Sequence, residues 1–151
     1  MAEPVPVASG ADPSPESPPA ASLLSGLIRT ARPKQWMKNV LVVAAPAAAG
    51  VLSHGSVIFD TMVAFVAFCL AASGTYFLND AFDVDADRRH AKKRFRPIAA
   101  GVVPVATARI VGVVLLASGI AVAFLSGWRL PVVIATYVVF TTTYSAWLKH
   151  V

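Results

Sequence analysis

The sequence predicts an all-α fold, a polytopic bundle of membrane helices, on three observations. Hydrophobic residues fill 56% of the 151 positions and charged residues only 14%, against roughly 25% charged in soluble domains. Four uncharged windows, 39–59, 61–79, 110–128 and 130–148, reach or nearly reach the about 20 residues that cross a bilayer. The remaining charge is concentrated: four of the eight acids stand at positions 80, 83, 85 and 87, and six of the thirteen basic residues follow from Arg88 to Arg96. Charge at the mouth of an apolar segment is costly to keep there, which marks that end as functional.

Taken in order, residues 1–21 hold six prolines, at 4, 6, 13, 15, 18 and 19. Such a segment cannot bury enough apolar surface to offset its ordering, so a disordered tail is expected rather than a secretory signal. Residues 22–38 form the next unit. Leu23, Leu24, Leu27 and Ile28 recur at helical spacing and predict a short amphipathic helix lying in the membrane interface. Pro33 interrupts it, and Arg32, Lys34, Trp36 and Lys38 make a basic, aromatic collar at headgroup level, either an interfacial anchor or a phosphate-binding set. The third unit, 39–151, carries the four spans.

The first span is Ala- and Val-rich and contains Pro46; the second begins near Asp60 and runs into the acids. In the third, Ala108, Gly112, Gly119 and Ala123 lie four or seven residues apart in succession, a face able to approach another helix closely. The fourth ends at Tyr144-Ser-Ala-Trp-Leu-Lys149. With the amino terminus cytoplasmic, twelve of the thirteen basic residues face the cytoplasm and only Arg129 the other side, so the acidic mouth is expected to open to the cytoplasm from a multi-pass protein of the inner (plasma) membrane. The net charge of +5 is thereby an orientation signal and no argument for nucleic acid. Cys69 is the single cysteine, and His54, His90 and His150 are scattered; neither type offers a metal or nucleophilic site.

On one continuous helix, with Asp80 as reference, Asp83 falls at about −60°, Asp87 at about −20°, Asn79 at about −100° and Tyr76 at about −40°. Asp85 falls at about 140° and is expected to pair with Arg89. Three carboxylates and an amide on one face repel one another unless a cation neutralises them. Oxygen-only donors with open coordination positions suit magnesium bridging to substrate phosphates. The alternative is an acidic helix end that merely surfaces beside its own basic loop, although acids at a helix C-terminus oppose its dipole. The run Arg88, Arg89, Lys92, Lys93, Arg94 and Arg96 is either a positive-inside loop or a set of partners for a multiply phosphorylated ligand, with Lys93, Arg94 and Arg96 the better candidates.

These residues resemble a known family, the UbiA-type intramembrane prenyltransferases. Asn79-Asp80-Ala-Phe-Asp83-Val-Asp-Ala-Asp87 is similar to that family's first Asp-rich motif, and Tyr144-Ser145-Ala-Trp-Leu148-Lys149 to the element closing its fourth helix. Arg32-Pro-Lys-Gln-Trp-Met-Lys-Asn39 and Lys93-Arg-Phe-Arg-Pro-Ile-Ala-Ala-Gly-Val-Val-Pro104 look like its decaprenyl-phosphate phosphoribosyltransferase branch, with Ala91 where that branch has proline. The resemblance implies Asp80, Asp83 and Asp87 as catalytic residues that hold Mg2+ with Asn79. It implies Lys34, Lys38, Tyr76, Lys93, Arg94, Arg96, Tyr144 and Lys149 as substrate-binding residues. The implied reaction moves 5-phosphoribose from phosphoribosyl pyrophosphate to a polyprenyl (decaprenyl) phosphate, toward arabinan precursors of a cell wall. The partners are then those two substrates and the lipid bilayer, with a homo-oligomer compatible. The family's fold has nine spans and a second Asp-rich motif, of which four spans and the first motif are here; the chain is expected to be an amino-terminal portion, inactive alone. Prenyl transfer from a diphosphate to an aromatic acceptor is the nearest rival. A cation-coupled transporter and a lipid-binding anchor are rivals of other classes.

Overall fold

The computed structural model describes residues 22–147; the Pro-rich tail over 1–21 and the expected site residue Lys149 lie outside the described residues. Among the described residues six α-helices follow in chain order: α1 Leu23–Ala31, α2 Leu41–Ala48, α3 Gly55–Phe82, α4 Val84–Arg89, α5 Val105–Ala123 and α6 Arg129–Trp147. No strand occurs among the described residues.

Two helical segments, Gly55–Phe82 and Val105–Ser126, are long and apolar enough, by length and composition, to cross a membrane. The four-span expectation is therefore met by two of the described segments. The first window fails on continuity. Its chain passes through a 3-10 turn over Pro33–Val40 into an α-helix of only 8 residues, Leu41–Ala48, that contains Pro46. Gly50 then turns with φ 67°. Absence of charge does not make a helix, and proline removes a helical hydrogen bond that the backbone needs in lipid. The fourth window does form a helix, the 19-residue α6.

α3 and α5 make an antiparallel hairpin whose seam is built from small residues. The four third-span residues Ala108, Gly112, Gly119 and Ala123 are the buried residues of α5. A Cβ on Gly74 would stand 2.7 Å from the Gly112 carbonyl oxygen, and one on Gly119 3.0 Å from that of Ala67. Backbone therefore meets backbone, the arrangement by which helices cohere in lipid, where tails are as apolar as leucine. Toward the acidic end the core holds Phe77, Ala81, Ile98, Val103 and Ala108. Further along α3, Ala67, Ala71, Ala123 and Ile134 form a second cluster, against which Phe68 and Tyr137 pack edge to face at 5.4 Å.

α1 starts as its sequence dictates, with Ser22 Oγ accepting from the Ser25 amide at 3.2 Å. It buries Gly26 and Thr30, not its leucines. Leu27 packs partly inward, while Leu23, Leu24 and Ile28 are exposed. The exposed side is the one an interfacial helix presents to acyl chains. Past α1, the Trp36 indole N–H donates to Ser73 Oγ at 3.0 Å, and Ser73 Oγ donates to the Ala31 carbonyl at 3.0 Å. These two bonds fasten the collar to α3. At the far end of α3, Ser126 Oγ donates to Asp60 at 2.8 Å; Arg129 and Asp60 share a cavity there, while the basic run lies at the other end.

Candidate active site

The acids are not on one continuous helix face. α3 stops at Phe82, and Asp83 caps it with φ −88° and ψ 6° before α4 begins at Val84. The hydrogen bonds from Asp83 N to Asn79 O at 2.9 Å and from Asp87 N to Asp83 O at 2.8 Å carry on across the joint. A ψ near 0° in place of the helical value of about −42° swings everything after it to a new azimuth. Asp80 and Asp83 line two separate cavities. Asp80 lines a cavity of about 410 Å³ with Arg29, Thr30, Arg32, Lys92, Phe95, Arg96 and Pro97. Asn79 and Asp83 line a different cavity, of about 210 Å³, with Leu78, Phe82, Thr142 and Ser145.

Asp80 and Asp87 are the buried pair, their side chains 5% and 3% exposed. Arg32 Nη2 donates to both Asp80 oxygens, at 2.9 and 3.0 Å. Arg96 Nη1 donates to Asp80 Oδ1 at 3.0 Å and to Asp87 Oδ2 at 2.8 Å. Carboxylates at that depth persist as charges only where cations and hydrogen bonds replace water, and two guanidiniums do so here.

Each arginine is placed by local sequence. Arg32 precedes Pro33, which bars the residue before it from the right-handed helical region. It adopts φ 53°, ψ 57°, ends α1, and lays its guanidinium over the Tyr76 ring at 4.5 Å from the centroid. Arg96 enters a buried turn in which Ile98 and Val103 are packed away, Ala100 N bonds to Arg96 O at 2.8 Å, and Gly101 supplies φ 79°. Arg88 Nε tethers the same turn by donating to the Ala99 carbonyl at 3.3 Å.

Of the expected site residues, the structure brings Asp80, Asp87, Arg96 and Tyr76 together, the last through Arg32. Lys93 is half-buried beside them in sequence, whereas Arg94 is exposed with its guanidinium over Phe95 at 4.8 Å. Lys34 lines an adjoining cavity of about 460 Å³ with Ile28, Arg29, Arg32, Pro33 and Gln35, and Lys38 is exposed on the same 3-10 turn. Tyr144 is exposed on α6, near in sequence to the Thr142 and Ser145 that border the Asp83 cavity. Asp85 meets Arg88 at 3.5 Å, not Arg89; α4 is only 6 residues long, and the i,i+3 partner is the one in reach. Sequence reasoning gave Arg29 no place in the site, and it weighed Arg32 in the collar and Lys92 in the basic run as phosphate partners without singling either out. The signal for Arg32 was Pro33, which marks a residue forced out of helix at the edge of the collar.

Asn79, Asp80, Asp83 and Asp87 are all oxygen donors, the chemistry of a hard cation such as magnesium. In the arrangement described, however, they do not fit one. No group of three or more His, Cys, Asp or Glu side chains among the described residues is close enough to hold a metal ion, and one nitrogen of Arg96, Nη1, lies between Asp80 and Asp87. The single-face expectation is corrected accordingly: a helix break and two arginines replace it.

Comparison with known proteins adds three relatives, each described as a decaprenyl-phosphate phosphoribosyltransferase. The protein of Corynebacterium glutamicum is 48% identical over 136 residues, 87% of this chain and 41% of its own length. That of Mycolicibacterium smegmatis is 46% identical over 140 residues, 90% of this chain and 44% of its own. That of Mycobacterium tuberculosis is 47% identical over 136 residues, 87% and 45%. The chain thus spans less than half the length of the curated relatives it matches. The family model for UbiA prenyltransferases matches residues 40–151, from the end of the collar through the acids, the buried turn and both later helices, and on that match the chain belongs to the UbiA prenyltransferase family, whose members are polytopic membrane proteins.

Proposed function

We propose that this chain carries the donor-binding part of a transferase that moves 5-phosphoribose from phosphoribosyl pyrophosphate to a polyprenyl phosphate. The observation that supports it is the cavity of about 410 Å³ at the acidic end of α3, where Arg29, Arg32, Lys92 and Arg96 surround one carboxylate, Asp80. Four cations against two carboxylates, Asp80 and the Asp87 that Arg96 also holds, leave an excess of positive charge for a ligand with several negative charges, held by charge-assisted hydrogen bonds. Similarity of 46–48% to proteins of that activity supports the same donor.

In this reading the lipid phosphate oxygen attacks ribose C1, the bond from C1 to the pyrophosphate oxygen breaks, and pyrophosphate leaves with the electron pair. The nucleophile is already an anion, so no side chain need remove a proton. The chain's own contribution is electrostatic: Arg32 and Arg96, held in place by their hydrogen bonds to Asp80 and Asp87, together with the cavity's Arg29 and Lys92, would offset the charge that accumulates on the leaving group. No step passes through a metal. Asp83 and Asn79, on the other cavity, keep a role as oxygen donors facing α6. The mouth opens to the cytoplasm, where such a donor is available, on the distribution of basic residues.

The test is equilibrium binding to the chain in lipid nanodiscs. Phosphoribosyl pyrophosphate should bind in preference to a short prenyl diphosphate, and Lys92→Gln or Arg29→Gln should each weaken it about tenfold, the worth of one hydrogen bond to a charged group. Preference for the prenyl diphosphate, or no effect of either substitution, would overturn the reading.

A further inference from the structure

Of the two acids in α3, Asp80 is buried among arginines, whereas Asp60, at the other end, is exposed. Its neighbours Ile58, Phe59 and Met62 are exposed apolar side chains, the surface a spanning helix turns toward lipid. At 28 residues α3 is about 42 Å long, more than the about 30 Å of a hydrocarbon core. Asp60, close to its start, therefore falls where hydrocarbon meets headgroups. The exposed Trp128 beneath the Arg129 guanidinium, 5.9 Å from the ring centroid, marks the same level. A carboxylate at that depth is costly unless something neutralises it. The chain gives Asp60 one hydrogen bond, from Ser126 Oγ at 2.8 Å, and among the described residues neither Asp60 nor Arg129 belongs to an ion pair. Both nevertheless line one cavity of about 390 Å³, between α2, α3 and α6, whose wall continues over Val42, Pro46, Leu130 and Val133.

We propose that this cavity holds the headgroup of a zwitterionic phospholipid with a primary ammonium, the chemistry of phosphatidylethanolamine. An anion and a cation that share a mouth without pairing, above an apolar wall, are complementary to a ligand that carries both charges on apolar tails. The ammonium donates to the acceptor positions that Ser126 leaves open on Asp60, a carboxylate having about four of them. The lipid phosphate accepts from Arg129, and the acyl chains run down the apolar wall. A choline headgroup has the same charge but no N–H to donate. An anionic phospholipid satisfies Arg129 but sets a second negative charge against Asp60. The site lies at the opposite end of α3 from Asp80 and does not rest on the transferase reading.

The experiment is native mass spectrometry of the full chain released from detergent, titrated with phosphatidylethanolamine, phosphatidylcholine and phosphatidylglycerol of identical acyl chains. The ethanolamine lipid should be retained about tenfold more tightly than the choline lipid, the worth of one hydrogen bond to a charged group, and more tightly than the glycerol lipid. Asp60→Asn keeps the side chain's shape and should bring the ethanolamine lipid down to the choline level. Arg129→Gln should weaken both by a similar factor, because both carry the phosphate. Equal retention of the two lipids by wild type overturns the proposal, as do a preference that survives Asp60→Asn and unchanged binding in Arg129→Gln. A dimer that either substitution dissolves, with no lipid retained, would assign the cavity to a second copy of the chain and overturn it too. Should the variants fail to fold, wild type decides with the ethanolamine lipid methylated stepwise at nitrogen: retention should collapse when the last N–H is lost, and a flat series overturns the proposal.

Discussion

Adding one methyl group at Gly74 tests whether the α3–α5 seam is backbone against backbone. A Cβ there would lie 2.7 Å from Gly112 O, 2.8 Å from Leu116 Cγ and 3.0 Å from Leu116 N, where ordinary contact begins at 3.4 Å. Two of those three atoms are main chain in the middle of α5 and cannot rotate aside, so the helices must separate by several tenths of an ångström. Overpacking of this kind costs about 1–3 kcal/mol. Alanine returns up to about 1 kcal/mol as the better helix former. With the full return, the net for Gly74→Ala is a loss of up to about 2 kcal/mol, which in a chain of this size lowers the melting temperature by up to about 8 °C. The protein carries its own reporter: Cys69 is the single cysteine and is 6% exposed, so a thiol-reactive fluorophore in detergent reads unfolding directly. Gly55→Ala is the control, since a Cβ there meets nothing within 4 Å, and its melting curve should not move downward. If Gly74→Ala melts at or above wild type, the close approach of these two helices is wrong.

Two further outcomes follow from the polar contacts. Asp80→Asn removes the charge shared by Arg32 and Arg96 and should cost about 3–5 kcal/mol, as breaking a buried pair does, read as early fluorophore labelling of Cys69; a loss below about 1 kcal/mol, the worth of an exposed pair, would mean that the site is wetter than described. Trp36→Phe deletes the indole donor to Ser73 and should cost about 1 kcal/mol, with faster proteolysis near the collar as the check, and unchanged protease sensitivity would count against that tether.

What the residues disclosed unaided depended on how local each signal was. The seam was legible because Ala108, Gly112, Gly119 and Ala123 repeat within one helix, and the amphipathic α1 because its leucines recur every three or four residues. The end of the first span was not, because counting uncharged residues from Asn39 to Phe59 says nothing of whether Pro46 and Gly50 permit one helix. The acidic site was half legible. That Asp80 and Asp87 needed cations could be argued from charge alone, but the cations come from Arg32, 48 positions upstream of Asp80, and from Arg96, 16 positions downstream. The turn in ψ at Asp83 that redirects the chain leading to Asp87 has no marker such as glycine or proline; it belongs to the tertiary arrangement in which Arg96 holds Asp87.

The glycine-lined contact between the two long helices also determines how the fold responds to cold. A water-soluble core draws much of its cohesion from expelled solvent and loosens as the temperature falls. Hydrocarbon surrounds this pair, so no solvent is expelled when Gly74 meets Gly112, and their adhesion is dispersion between main chains at close range. Such a joint lacks the term that weakens on chilling, and the hairpin should keep its grip at temperatures where aqueous domains begin to slacken.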